Sequence, residues 1–333
     1  MRDFQSRYLQ YKRLIDRRFQ SLADEDDRRP RSLVVPLKYV LSSGGKRLRP
    51  VLLLLAHEAV SGRRARIGRF DGVLNAALAV EALHNFTLVH DDIMDDAPSR
   101  RGRATVHSKW DENTAILVGD ELVALAYRSL LKTKSPRIGQ VLEIFTDGLL
   151  EVCEGQGLDK EFEQRRDVTL AEYLKMIEMK TGRMVSVTLE IGGLLGGGDR
   201  IELTALRKFG HHVGRAFQIQ DDLLDVIGDQ RFGKKIGGDI VEGKKTFLLL
   251  QALKKAKQKD RSILERVMSG RGVASKEVGT VKRIYEKYGA VECAKKRVRR
   301  HVVEAQHALE SLQPSRAKDM LHWLAGMLQD RSS

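Results

Sequence analysis

Two clusters of aspartates offer the clearest chemistry in this sequence. Both follow the pattern DDxxD, and the second begins 130 positions after the first (221 − 91). The six carboxylates are Asp91, Asp92, Asp95, Asp221, Asp222 and Asp225. On a helix the first and last aspartate of each motif lie on one face, one turn apart, where they repel one another unless a cation lies between them. Such oxygen ligands suit Mg²⁺, which is usually shared with substrate phosphates.

Basic residues follow both acidic motifs. Arg100, Arg101 and Arg103 come after the first motif, and the segment 233–235 (GKK) comes after the second. Cations beside carboxylates are what a metal–diphosphate site needs. A solvated acidic helix face with simple charge balance is the alternative for either motif alone. Two copies, each at the end of an apolar run, favour the metal site.

A further basic element is the stretch SSGGKRLRP, residues 42–50. Its glycines allow backbone N–H groups to approach a ligand closely, and Lys46, Arg47 and Arg49 follow at once. Pro50 fits the first turn of the next helix, so the stretch is typical of phosphate binding at a helix N-terminus. A basic turn with a capping glycine explains it equally well in isolation. The GxxxxGK[ST] spacing of a P-loop is absent.

The composition limits the class of protein. The 333 residues are 42% hydrophobic, enough for one large domain or two ordinary ones. The net charge of +14 implies an anionic partner, which could be phosphate groups, nucleic acid or a membrane surface. Cys153 and Cys293 form no disulfide framework or metal cluster, which indicates a reducing compartment. No signal peptide and no run of about 18 apolar residues is visible, so we expect no transmembrane segment.

The elements that position these residues read as helices. An amphipathic helix is predicted over residues 3–22, and residues 69–96 read as one long helix that ends in the first acidic motif. A capping box at 169–172 (TLAE) opens another helix. No proline occurs between Pro136 and Pro314, and strand-like alternation is scarce. The sequence therefore predicts an all-α chain.

Six segments in this order resemble the trans-isoprenyl diphosphate synthases, also called polyprenyl synthetases. They are GGKRLRP, LVHDDIMDDAPSRRG, EGQGLD, KTG, FQIQDDLLDVIGD and GKKIGGDIVEGKKT, all between residues 44 and 246. The resemblance implies a single domain over 1–333, with an N-terminal helix and linker over 1–31 and a catalytic helical core over 32–333. It also implies an antiparallel helical bundle around a central cavity (the isoprenoid synthase type I fold), and a homodimer.

This family joins isopentenyl diphosphate to an allylic diphosphate, head to tail. The resemblance implies that the allylic C–O bond ionises first, while Mg²⁺, with about three ions per active site, stabilises the leaving diphosphate. The released diphosphate then takes the proton, so no side-chain base is required. A sequence rich in carboxylates and cations, without a nucleophile–base pair, agrees with this chemistry.

The resemblance also assigns roles to individual residues. The expected metal ligands are the six motif aspartates and Asp159. The expected isopentenyl diphosphate ligands are Gly45, Lys46, Arg49, His84 and Arg101. Those expected for the allylic diphosphate are Arg100, Lys180, Lys235 or Lys234, and Lys244. Facing the carbocation we expect the side-chain oxygen of Gln218 and the backbone at Lys180 and Thr181. The residues expected to be catalytic are Asp91, Asp92, Asp95, Asp221, Asp222, Lys180 and Gln218.

Product length is expected to depend on the floor of the pocket. Leu83, Phe86 and Thr87 stand eight, five and four positions before Asp91. An aromatic at −5 with a small residue at −4 resembles producers of geranylgeranyl diphosphate (C20). An ordinary core aromatic is the alternative interpretation of Phe86. A farnesyl diphosphate (C15) synthase and a non-catalytic subunit of a heteromeric synthase remain as alternatives.

Other classes of protein explain the sequence less well. A class I terpene cyclase usually has a second motif of Asn/Ser/Glu type and no need of GGKRLRP. A non-catalytic subunit tends to lose an acidic motif. Nucleic-acid binding would explain the charge, but no aromatic–basic groove is visible, so we expect no nucleic-acid partner. A metal hydrolase built on His90 and Asp91 would need further histidine ligands, which no motif of this sequence supplies. We expect a cytoplasmic protein whose excess charge attracts diphosphates or gives a peripheral membrane contact.

Overall fold

The computed structural model describes residues 2–24, 30–62, 71–228 and 237–328. Within these ranges almost all regular structure is helical. The strands found there are the two-residue β1 (Ser99–Arg100) and β2 (Arg103–Ala104), which pair antiparallel with Arg100 opposite Arg103. The predicted all-α class is confirmed.

Helices follow one another through all of the described ranges. In chain order the α-helices are α1 (Arg2–Gln20), α2 (Arg31–Leu41), α3 (Leu48–Ser61), α4 (Asp71–Met94), α5 (Val106–Lys109), α6 (Glu112–Leu131), α7 (Ile138–Gln164), α8 (Leu170–Ile177), α9 (Arg183–Leu195), α10 (Arg200–Ile227), α11 (Gly238–Glu242), α12 (Phe247–Leu253), α13 (Gln258–Arg266), α14 (Val278–Lys287), α15 (Ala290–Ala308) and α16 (Arg316–Gly326). Short 3₁₀ turns cover Ser21–Asp24, Ser275–Glu277 and Leu309–Ser311, and π-helical turns cover Glu178–Gly182 and Val267–Arg271.

The chain forms two compact units that alternate along the sequence. The first contains Met1–Thr146, Val187–Leu206 and Ser311–Leu321, and the second contains Asp147–Ser186, Arg207–Glu310 and His322–Ser333. The first unit holds the GGKRLRP stretch and the first acidic motif. The second holds the KTG segment and the second acidic motif. The single domain over 1–333 stays a prediction.

The core of the first unit is built on α4, which packs against α3 and α6. Apolar residues cover most of α3, and the run 51–55 (VLLLL) is fully buried. Because α4 must be buried against both neighbours, its sequence is apolar nearly all round rather than on one stripe. This helix matches the predicted long helix and ends within two residues of the predicted end.

One apolar helix bears on the expectation of no transmembrane segment. Among the described helices, residues 72–94 of α4 are long and apolar enough to cross a membrane by length and composition alone. However, 67% of the most apolar window is buried inside the protein. The core helix of a globular protein passes the same test, and α4 is such a helix.

Local sequence rules account for several helix ends. The predicted capping box is present, since Thr169 accepts from the Glu172 N–H and the Glu172 carboxylate accepts from the Thr169 N–H. At the start of α10, Asp199 Oδ1 accepts from the N–H groups of Ile201 and Glu202 at 2.8 Å. The predicted helix over 3–22 corresponds to α1 and the turn that follows it.

Candidate active site

The first acidic motif lies in the last turn of α4. Asp91 is half-buried, Asp92 is buried, and Asp95 is exposed just beyond the helix end. The Asp95 N–H still donates to Asp91 O at 2.9 Å, so the one-turn spacing of the outer carboxylates is kept. Asp92 Oδ1 accepts from Arg100 Nε at 2.7 Å. Burial raises the pKa of Asp92, and the Arg100 guanidinium opposes that rise.

A tight hairpin carries the arginines that follow this motif. Arg101 and Gly102 join β1 to β2 with φ of 54° and 75°, values typical of two-residue hairpin turns. Arg101 Nη1 donates to Gly44 O at 2.6 Å, so the hairpin reaches the GGKRLRP stretch. A Cβ at Gly45 would lie only 2.7 Å from the same Nη1. The second glycine of the motif therefore makes room for the Arg101 guanidinium.

Arg49 and His84 form a second contact within the first unit. Arg49 Nη1 lies 3.1 Å from His84 Nε2. Burial lowers the pKa of Arg49 to about 10. Burial and then the neighbouring guanidinium groups, Arg49 first, lower the pKa of His84 well below its usual value. His84 is therefore neutral near pH 7, so its Nε2 can accept from Arg49. Arg49 Nε is buried and has no hydrogen-bond partner, which is unusual unless an acceptor binds there.

Arg47 is a residue whose role the sequence did not reveal. Its side chain is buried, with Nε donating to Asp16 at 2.8 Å and Nη1 donating to Glu81 at 2.7 Å. It therefore ties α1 to α4, behind the basic stretch. The Tyr8 hydroxyl on α1 also donates to the carbonyl of Lys46. Three cations of the same stretch look alike in sequence, and only their tertiary partners separate Arg47 from its neighbours.

In the second unit the KTG segment lies in the π-helical turn Glu178–Gly182. Such turns are rare in proteins as a whole, but those that occur often lie at functional sites. A Cβ at Gly155 on α7 would lie 2.5 Å from Lys180 N, so the glycine permits α7 to lie directly against this turn. Lys180 Nζ donates to Asp159 Oδ2 at 2.8 Å, and Thr181 Oγ1 donates to Gln218 Oε1 at 3.1 Å. Four of the predicted site residues are thus brought together in this unit.

The second acidic motif lies in the last two turns of α10. Asp221 and Asp225 are half-buried on one face of the helix, one turn apart. Asp222 is buried, and its Oδ2 accepts from Tyr173 Oη at 2.6 Å and from the Phe247 N–H at 2.8 Å. Burial raises the pKa of Asp222 to about 7, and these hydrogen bonds oppose the rise. Tyr173 was missed by sequence reasoning because it lies on the apolar face of α8.

The donor set of both motifs fits Mg²⁺ that is shared with a ligand. No group of three or more His, Cys, Asp or Glu close enough to hold a metal ion alone is present in the described part of the chain. Mg²⁺ usually takes one or two carboxylates and completes its shell with water and phosphate oxygens. In each motif the second aspartate is held by protein donors, and the first and last keep the one-turn spacing. The metal ligands themselves stay predictions.

The contacts of the remaining predicted residues do not by themselves assign a role to them. Lys244 Nζ lies 3.0 Å from Glu242 in the loop after α11. Lys234 and Lys235 lie outside the described residues. Leu83 is buried, Thr87 Oγ1 donates to His84 O at 2.9 Å, and Phe86 is half-buried.

The fold and these motifs define a class of protein. The chain belongs to the polyprenyl synthetase family, whose model matches residues 30–288. The predicted family is thereby confirmed.

Several individual proteins are similar to this chain over most of its length. The chain is 39% identical over 324 residues to the short chain isoprenyl diphosphate synthase of Methanothermobacter thermautotrophicus, covering 95% of this chain and 97% of that protein. It is 37% identical to the geranylfarnesyl diphosphate synthase of Natronomonas pharaonis, covering 91% of each chain. The crystal structure of geranylgeranyl pyrophosphate synthetase from Pyrococcus horikoshii is similar with a TM-score of 0.91 and 35% identity, covering 99% of each chain.

Proposed function

We propose that this protein is a short-chain trans-prenyltransferase that condenses isopentenyl diphosphate with allylic diphosphates head to tail, with geranylgeranyl diphosphate as its main product. The observation that carries the proposal lies in the first unit. A one-turn carboxylate pair ends α4, and the hairpin that follows brings Arg100 to the motif and Arg101 to the glycine–cation stretch. Carboxylates for a metal and guanidinium groups for a diphosphate are thus built from adjacent segments.

Residues of the first unit are suited to hold isopentenyl diphosphate. Arg49 presents a buried Nε without a hydrogen-bond partner, and a diphosphate oxygen would satisfy it. His84 accepts from the other end of the same guanidinium and so fixes its orientation. Because His84 is neutral, it adds no positive charge that would repel the neighbouring Arg49 guanidinium. Lys46 and Arg101 supply further positive charge at the same stretch.

Residues of the second unit are suited to hold the allylic substrate. Lys180 would exchange its ion pair with Asp159 for a contact with the allylic diphosphate. Backbone carbonyls of the π-helical turn would stabilise positive charge. Thr181 fixes the orientation of the Gln218 amide by donating to its oxygen. Mg²⁺, when bound by the outer carboxylates of each motif, supplies the positive charge that stabilises the departing diphosphate.

The proposed product length rests on Phe86. In this proposal the half-buried ring lies at the floor of the prenyl pocket, one turn before the metal ligands, while Thr87 next to it is small. A geranylfarnesyl diphosphate synthase and a geranylgeranyl pyrophosphate synthetase are both similar to this chain, so similarity alone does not decide between products. The proposal also includes a Mg²⁺-dependent homodimer in the cytoplasm, supported by the family and by two free cysteines in the described chain.

A pair of adjacent aspartates tests the proposal. The assay follows incorporation of labelled isopentenyl diphosphate onto farnesyl diphosphate with Mg²⁺, and again with EDTA. D95N should lower the rate about 100-fold, because it removes one carboxylate of the proposed metal pair. D96N is the matched control, since Asp96 is exposed and its φ of 47° is tolerated by asparagine. Condensation that survives EDTA, or equal effects of both substitutions, would refute the proposal.

A further inference from the structure

The Phe86 ring is in contact with another ring that lies against α6. Phe86 and His90 are one turn apart on α4, and their rings meet edge to face with centroids 4.7 Å apart. His90 also contacts α6, because its Nε2 lies 3.4 Å from Ile116 O and 4.0 Å from Asp120 Oδ1, and both residues are on that helix. The imidazole therefore links Phe86 to the neighbouring helix.

Gly119 is the position at which α6 makes room for this imidazole. A Cβ added there would lie 3.1 Å from His90 Cε1 and closer still to Nε2 and Cδ2, so the ring would have to move. Gly119 does not have the positive φ that only glycine adopts easily. Glycine is also a poor helix former, and this one lies well inside α6. The need to leave space for the His90 ring therefore explains why position 119 is a glycine, whereas the backbone conformation there does not.

Of the three residues predicted to control product length, Phe86 is the one whose side-chain position depends most on a neighbouring side chain. Leu83 is buried in the core, and the Thr87 hydroxyl is bonded to its own helix. Phe86 is half-buried, and its ring is held through the edge-to-face contact with His90.

We infer that Gly119 and His90 are specificity-determining residues that act through Phe86, because together they fix where its ring stands and so how long the prenyl product can grow. This inference rests on the proposed function, in which Phe86 closes the prenyl pocket. It assigns Gly119, a residue remote from the aspartates in sequence, to the control of product length.

Product analysis of a small set of variants tests the inference. Each is given Mg²⁺, isopentenyl diphosphate and geranyl diphosphate, and the chain lengths are separated by chromatography. G119A should change the ratio of C15 to C20 product by about threefold or more, because the displaced imidazole disturbs the Phe86 ring. H90A should raise the share of products longer than C20, because Phe86 loses the ring against which it packs. G139A is the control: Gly139 is also helical, but a Cβ there meets nothing within 4 Å.

Two double variants test whether the effect passes through the proposed chain of contacts. G119A/H90A should give the products of H90A alone, because the new methyl group then has no ring to displace. H90A/F86A should give the products of F86A alone. The double G119A/H90A also removes the crowding, so it remains informative if G119A alone folds poorly.

The outcomes separate two kinds of failure. Wild-type protein that condenses normally, with G119A and H90A product lengths equal to those of G139A, overturns the inference alone. An effect of G119A that persists without His90 overturns the route through the imidazole. Wild-type protein that condenses no starter refutes the proposed function, and this inference with it.

Discussion

The hydrogen bond between Tyr173 and Asp222 gives a prediction that needs no substrate. Tyr173 is buried, and its hydroxyl donates to Asp222 Oδ2 at 2.6 Å. Burial and the neighbouring carboxylate raise the pKa of Tyr173 well above its usual value, so it remains a donor at every accessible pH. The substitution Y173F removes the hydroxyl without changing the shape of the ring.

The magnitude follows from the charge of the acceptor. A hydrogen bond to a charged group contributes about 1.5–3 kcal/mol to stability, and one to a neutral group about 0.5–1.5 kcal/mol. Y173F should therefore cost roughly 1 kcal/mol more when Asp222 is ionised than when it is protonated. A difference of this size corresponds to a further rise of about one unit in the pKa of Asp222.

The sign of the pH dependence can be worked out from the same group. The folded-state pKa of Asp222 is about 7, above its ordinary value of 3.8, so its contribution to stability is fully present below pH 3.8 and is lost as the pH rises towards 7. In Y173F the folded-state pKa is higher still, so the loss continues beyond pH 7. The destabilisation by Y173F should thus grow between about pH 6 and pH 9.

Urea denaturation in EDTA at pH 5.5, 7 and 8.5 measures this effect without interference from metal. Y127F is the matched control, because Tyr127 shares its 2.9 Å hydrogen bond with the neutral hydroxyl of Thr146. Y127F should cost about 1 kcal/mol at every pH. A cost of Y173F that is equally independent of pH would show that Asp222 does not titrate as the structure indicates.

Three other predictions concern Arg47, Phe86 and Lys180. R47M should lower the free energy of unfolding by about 3–5 kcal/mol in urea, because it leaves the buried Glu81 carboxylate without its ion pair; a loss below about 1 kcal/mol would contradict this role. F86A should lengthen the product chains seen by chromatography, and unchanged chain lengths would show that Phe86 does not form the floor of the prenyl pocket. K180M should lower kcat about 100-fold and raise KM for the allylic substrate in steady-state kinetics; an unchanged KM would leave the ion pair with Asp159 as the main role of Lys180.

The fold could be predicted largely because local rules decide where these helices begin and end. The capping box at Thr169 and the Asx cap at Asp199 each depend on residues within three positions. The end of α4 and the one-turn spacing of the aspartates likewise follow from the sequence. The apolar composition of α4 does not by itself identify its role, since a core helix and a membrane span share such a composition.

The supporting contacts of the site could not be predicted, because they join residues that are far apart in sequence. Tyr173 and Asp222 are separated by 49 positions, and nothing in the apolar pattern of α8 marks the hydroxyl. Arg47 and Arg49 are two residues apart in one basic stretch, yet one binds Glu81 and the other lies against His84. These assignments depend on tertiary packing, which sequence periodicity does not encode.

Product analysis with three starters tests the central claim most directly. Purified protein is given Mg²⁺, isopentenyl diphosphate and, in turn, dimethylallyl, geranyl and farnesyl diphosphate, and the products are identified by mass. We predict a C20 product from each starter that disappears when EDTA is added. A C15 or C25 end point would keep the enzyme class and move the floor of the pocket. No condensation with any starter would contradict the account and leave the non-catalytic subunit as the better interpretation.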